Sequence, residues 1–108
     1  MLGIDTPEFK NKNDKAGYYA YEAFRYTKEQ LKGKKVCLVK DPSSNRDRYG
    51  RMLRYVYIDS RLFNAELLRL GYAEIFKKSE HKMKDHFLKL QNEARKSHIG
   101  IWSSPNRR

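Results

Sequence analysis

From Tyr18 to Leu31 the apolar or small positions Ala20, Ala23, Phe24, Thr27 and Leu31 recur at helical spacing, and Lys32-Gly33 supplies a stop. This predicts a first amphipathic helix. The pattern then changes. Lys34 to Lys40 is rich in β-branched and apolar residues and ends in Asp41-Pro42-Ser43-Ser44-Asn45, a cluster of turn formers, as a strand would. A second strand is expected from Gly50 to Ile58, where Leu53, Tyr55 and Tyr57 alternate with Met52, Arg54, Val56 and Ile58, with Asp59-Ser60 as a turn. Phe63, Leu67 and Leu70 suit a short helix closed by Gly71 as a left-handed cap. Ser79 and Glu80 open a third helical run in which Met83, Phe87, Leu90 and Ala94 form an apolar stripe. Such stripes are core positions before they are anything else. Trp102 is expected to pin the last helix to the body, with fraying beyond it.

Two stretches escape this periodicity. Phe9 to Gly17 is polar and reads as a loop. Before it, Gly3-Ile4-Asp5-Thr6-Pro7-Glu8 is an apolar strand end that breaks into a turn bearing two carboxylates and a proline. Asp5 and Glu8 lie three apart across that turn, so hard oxygen ligands and a general base share one small volume. The same run also fits a helix start, with Asp5 as cap and Pro7 in the first helical position. A functional loop normally hangs between rigid elements, yet only four residues precede Asp5.

Composition narrows the partners. The chain has 108 residues, one domain's worth, and 24 Lys and Arg against 13 Asp and Glu give a formal charge of +11. A field of that sign attracts polyanions, nucleic acid above all, although a solvated basic face would have the same composition. No apolar stretch approaches the roughly 20 residues of a membrane span. A cationic amphipathic helix could lie on a membrane surface, but the apolar residues of the Ser79 to Ser97 run are wanted for the core, so no membrane partner is expected. The lone Cys37, set between Val36 and Leu38, is expected to be a buried small hydrophobe.

The remaining chemistry is sparse. His81 and His86 are five apart on the expected helix and do not share a face, and His98 stands alone, so a histidine or zinc site is not expected. No nucleophile elbow or phosphate-binding glycine loop is present. A second constellation is Asn45-Arg46-Asp47-Arg48-Tyr49-Gly50-Arg51, between the two expected strands. Its arginines surround an aromatic residue and a glycine, as where a backbone approaches a phosphate and guanidinium groups hold its oxygens; a basic turn with exposed charges has the same look.

Taken together and in this order, the two constellations resemble the staphylococcal nuclease, or thermonuclease-like, family. The resemblance extends through Glu22-Ala23, Tyr26-Thr27-Lys28, Leu53, Tyr55-Val56, Asn64, Leu67, Gly71, Ala73, Glu93-Ala94 and Gly100-Ile101-Trp102. It implies an α+β chain, mainly β barrel plus helices: an OB-fold of the staphylococcal nuclease type with three α-helices, here expected to lack the first strands, as one domain over residues 1–108. It implies hydrolysis of phosphodiester bonds in DNA and RNA, single strands favoured, with one calcium ion. Carried over by position, Asp5 would be a calcium ligand, Thr6 would offer its backbone carbonyl to the ion, and Glu8 would orient or deprotonate the attacking water. Arg51 would bind the phosphate, bordered by Arg48 and Tyr49.

The family's other catalytic arginine would fall one position before Met1, and its second calcium-binding aspartate on a still earlier strand. Positions where well-known members carry substrate-lining tyrosines fall at Lys77 and Ser79. A truncated parent would leave barrel edges exposed, so self-association is expected. A secreted or cell-envelope location is expected over a cytoplasmic one. The alternative is a non-catalytic nucleic-acid or protein binding OB-fold module, although such copies usually lose the acidic and arginine residues retained here.

Overall fold

The computed structural model describes residues 1–5, 19–43, 46, 52–76 and 80–104. Three α-helices and two small antiparallel sheets follow in the order β1 (Ile4–Asp5), α1 (Ala20–Leu31), β2 (Val36–Lys40), β3 (Arg54–Ile58), β4 (Arg61–Leu62), α2 (Phe63–Arg69), β5 (Glu74–Ile75) and α3 (Lys84–Lys96), then a 3-10 turn, Gly100–Ser103. The chain is therefore α+β. No closed barrel forms among the described residues: one sheet has the order β2-β3-β4 and the other pairs β1 with β5. Strands β1, β4 and β5 have only two residues each, too short to carry a ladder around a barrel.

β2 and β3 pair antiparallel with Val36 opposite Ile58 and Lys40 opposite Arg54. Asp59 and Ser60 both have positive φ, 49° and 68°, the two-residue turn that suits the twist of a hairpin. β2 lies at the sheet's edge, and Val36 and Leu38 stay 44% and 50% exposed. Cys37 corrects the expectation drawn from its apolar neighbours: β2 is an edge strand among the described residues, and the thiol is exposed.

In α1 the inward residues are Ala20 and Ala23, with Tyr26 stacked on Tyr72 at 4.6 Å and on Phe63 at 6.1 Å. This turns Phe24, expected on the apolar face, outward. α2 ends as the sequence predicts. Gly71 takes φ +76°, its N–H donates to the Leu68 carbonyl, and the Tyr72 N–H reaches back to that of Leu67.

α3 begins at Lys84, five residues after Ser79. Residues 80–83 instead form a turn that brings the buried His81 towards β3, while Phe87 and Ala94 are buried and Met83 and Leu90 pack partly against the core. Gln91 of α3 accepts the Ile75 N–H at 2.7 Å and so ties α3 to β5. The last turn buries Ile101 and Trp102 against Ala94, and the Arg95 guanidinium sits 5.7 Å from the indole centre. Trp102 is thus a pin, as expected. The tail from Pro105, like the loop from Phe9 to Gly17, lies outside the described residues.

Candidate active site

β1 carries the opening carboxylate, and two independent anchors hold it. The first is ladder pairing: Ile4 stands opposite Ile75 and Asp5 opposite Glu74, and the Phe76 N–H donates to the Gly3 carbonyl at 2.9 Å. The second is Asn64, at the start of α2. Its neighbours Phe63, Leu67 and Leu68 are fully buried, and the same helix face carries the amide into the interior. There Asn64 Oδ1 accepts the Val56 N–H at 2.8 Å, while Nδ2 donates to the carbonyls of Leu2 at 2.9 Å and Arg54 at 3.2 Å. A buried amide left short of partners would cost about 1 to 3 kcal/mol. Here both of its hydrogens have partners and its oxygen accepts one.

The bonding positions reveal the logic. Arg54 and Val56 present their backbone groups on the β4 side of β3, but β4 ends after pairing with Tyr57 and Ile58. Asn64 takes up the open rungs, and the Leu2 N–H donates to the Arg54 carbonyl at 3.0 Å. Leu2 lies three residues before Asp5, and Arg54 lies three after Arg51. Three residues span at most about 10 Å of extended chain. Leu2 and Arg54, far apart in sequence, are therefore joined directly, each within three residues of one constellation.

A second buried polar group flanks that joint. Asp41, only 1% exposed, accepts hydrogen bonds from the Ser43 N–H at 2.8 Å, the Tyr55 hydroxyl at 2.9 Å and the Lys82 N–H at 3.0 Å. The Lys82 N–H is the largest influence holding its carboxyl at about 2, below the ordinary 3.8, with the Ser43 and Tyr55 bonds adding to it against the opposing effect of burial. A carboxylate is acceptor-only, so Tyr55 spends its hydrogen on Asp41. Nδ1 of His81, 2.9 Å from the Tyr55 oxygen, then carries a hydrogen and donates. Burial, first, pushes the Tyr55 hydroxyl above its ordinary range, and the bond to Asp41 adds to this. Burial also lowers His81. The Nε2 side of the ring lies against Gly3, where an added Cβ would come within 2.4 Å. Gly3, at φ +78°, is thus required both by backbone shape and by the imidazole beside it.

Of the residues marked by the sequence, Asp5 is placed on β1, while Thr6, Glu8, Arg48, Tyr49 and Arg51 lie outside the described residues, as do Lys77 and Ser79. Among the described residues no group of three or more His, Cys, Asp or Glu is positioned to hold a metal ion. The donor set of the opening run, the Asp5 carboxylate and the Thr6 carbonyl, has the hard oxygen chemistry that calcium takes.

Sequence reasoning passed over Asp41 as a turn former, and His81 as one of two histidines out of step on a helix. Asn64 entered only through the family pattern. Its signal was available: an amide between Phe63 and Leu67 on an apolar helix face needs internal partners.

The comparisons with known proteins bear on the same residues. A family model described as Staphylococcal nuclease homologue matches residues 1–104. An uncharacterized protein of Methanocaldococcus jannaschii is 33% identical over 127 residues, covering 98% of this chain and 61% of that protein. The thermonuclease of Staphylococcus hyicus is 36% identical over 105 residues, covering 96% and 62%. The SPbeta prophage-derived endonuclease YokF of Bacillus subtilis is 38% identical over 104 residues, covering 94% and 35%. The chain thus spans at most 62% of the length of these three curated relatives. The match takes in the opening run, the basic segment between β2 and β3 and the α2 cap together, and on that breadth the chain belongs to the family of staphylococcal nuclease homologues.

Proposed function

We propose that this chain is the part of a nuclease that hydrolyses phosphodiester bonds in DNA and RNA with calcium, single strands favoured, on an OB-type framework forming one domain. The observation that supports this reading is the Leu2–Arg54 hydrogen bond with Asn64 beside it, which joins the backbone three residues before Asp5 to that three residues after Arg51. The relatives named as thermonuclease and endonuclease support it.

Asp5 and the Thr6 carbonyl would hold the ion, which when bound supplies positive charge beside the phosphate. Glu8 takes a proton from, or orients, the water that attacks phosphorus. Arg51 donates to the non-bridging oxygens as their charge grows, with Arg48 and Tyr49 at the border of the substrate. Preorganised donors of this kind contribute more to the transition state than to the ground state, and removing one costs roughly a hundred- to thousandfold in rate.

The test is cleavage of single-stranded DNA and RNA with calcium, using the chain alone and with any residues its gene encodes upstream. Cleavage is expected to stop with a chelator and to be lost in Glu8→Gln while binding persists. Binding without cleavage in both forms would refute the reading and leave the non-catalytic module. Self-association belongs to the same proposal. The β2 edge, with Val36 and Leu38 exposed, matches a second copy's β2 in a two-fold antiparallel ladder. A monomer mass by light scattering would refute that part.

A further inference from the structure

We propose that the outward face of α1 is a binding surface for single-stranded nucleic acid, with the Tyr21 and Phe24 rings stacking on bases and Arg25, Lys28 and Lys32 taking the phosphates. The proposal rests on nucleic acid being the ligand of this chain and draws on no residue of the two constellations.

α1 is held to the body by its other face, where Ala20 and Ala23 are buried and Tyr26 stacks on Tyr72 and Phe63. With about 100° of turn per residue, Tyr21, Phe24, Arg25, Lys28 and Lys32 share an arc of about 100° on the opposite side. All five are exposed, and the two aromatic residues keep 41% and 47% of their surface. The stripe runs for about 16 Å along the axis. Glu22 and Glu29, also exposed, fall on the adjoining side. Arg25, at the border, places its Nε 3.2 Å from Glu29 Oε1, but so exposed a pair contributes little and the guanidinium can turn to a phosphate. Lys28 and Lys32 form no ion pair among the described residues.

The helix dipole accounts for lysines near the C-terminus of α1. It does not account for two large rings set among them, which the core does not use. Rings for bases beside a track of cations are what hold a single strand without reading its sequence. A second copy fits the same face poorly, because a two-fold contact would set its three cations against three of their own kind.

The experiment measures binding of fluorescein-labelled oligothymidylate by anisotropy over a series of salt concentrations, with chelator present so that cleavage plays no part. Variants are compared at a temperature where circular dichroism shows each one folded. Tyr21→Ala and Phe24→Ala should each weaken binding about fivefold or more, and Phe24→Tyr should stay within twofold of wild type. Lys28→Gln with Lys32→Gln should flatten the slope of log affinity against log salt by about 1.4, two phosphate contacts at about 0.7 each. The control pair is Lys89→Gln with Lys96→Gln on α3, where exposed Asp85 and Glu93 lie among the cations, and it should change the slope by less than half as much.

Ring variants that bind as wild type does, or an α1 pair that changes the slope no more than the α3 pair, overturn the proposal. So does a wild-type chain that does not bind the strand. A dimer that Phe24→Ala converts to monomer with strand affinity intact assigns the face to a second copy and overturns it equally. A chain that binds through α1 yet never cleaves, with or without upstream residues, refutes the nuclease and leaves this surface standing; cleavage with calcium while the ring variants bind normally does the reverse.

Discussion

Replacing Asp41 by Asn isolates the buried carboxylate that joins the end of β2, Tyr55 of β3 and the turn before α3. The amide keeps one acceptor oxygen where the carboxylate has two, so it cannot serve Ser43, Lys82 and Tyr55 together. The Tyr55 oxygen already takes the Met83 N–H and His81 Nδ1, so at least one buried donor loses its partner, a cost of about 1 to 3 kcal/mol.

Linkage gives a second route to the same size. Asp41 lies near 2 when folded against an ordinary 3.8, and at about 1.4 kcal/mol per unit the difference amounts to about 2 kcal/mol. The sign follows from the depressed value. The contribution is fully present above the unfolded carboxyl's range near pH 4, falls to about half at pH 3, and is lost as pH drops through about 2.

Urea unfolding followed by Trp102 fluorescence should show the wild type more stable than Asp41→Asn by about 2 kcal/mol at pH 7, with that gap narrowing at pH 3. Equal midpoints at pH 7, or a gap that does not depend on pH, would refute the account of Asp41 as a charged hub.

Three further outcomes follow from single features. Gly100→Ala should destabilise well beyond the roughly 1 kcal/mol of a left-handed alanine, because its Cβ would meet the Gly71 carbonyl oxygen at 2.0 Å. Gly33→Ala, with φ +68° but nothing within 4 Å, should cost only that 1 kcal/mol; equal losses by thermal melts would contradict the close approach of the Gly71 and Gly100 backbones. At a dilution where the chain is monomeric, Cys37 should react with a thiol reagent at a rate near that of unfolded chain, and Cys37→Ser should change stability by less than about 0.5 kcal/mol; protection of the thiol in the monomer would refute the exposed β2. His81 should titrate by NMR below the ordinary 6.5, so the unfolded chain takes up its proton first and stability declines as pH falls below about 6.5; a midpoint at or above that value would refute the buried neutral imidazole.

How far the sequence reached depends on the range of the forces involved. α1, α2 and the Gly71 cap were legible because helical period and a left-handed glycine are local properties, settled within a few residues. Gly50 to Ile58 read as a strand, and among the described residues β3 runs Arg54–Ile58; the alternation could not say which face is buried, and Tyr55, Val56 and Ile58 fill both sides. Local pattern misplaced Cys37, because burial in a strand depends on what lies beside and above it. It also carried the third helix back to Ser79, because an apolar stripe extends smoothly into a turn whose purpose, bringing His81 and Lys82 to Tyr55 and Asp41, is visible only across the fold.

The candidate site divides along the same line. By itself the sequence determined which residues are equipped for the chemistry, since a carboxylate pair across a proline turn and arginines around Tyr49-Gly50 are written in residue type and spacing. Their kinship came only from the family pattern, and neither segment's periodicity carries it. Only the tertiary structure decided that Leu2, three residues before Asp5, meets Arg54, three after Arg51, because that joint is a backbone bond reinforced by one buried amide from α2, and a contact between residues so far apart in the chain leaves no periodic trace in either segment.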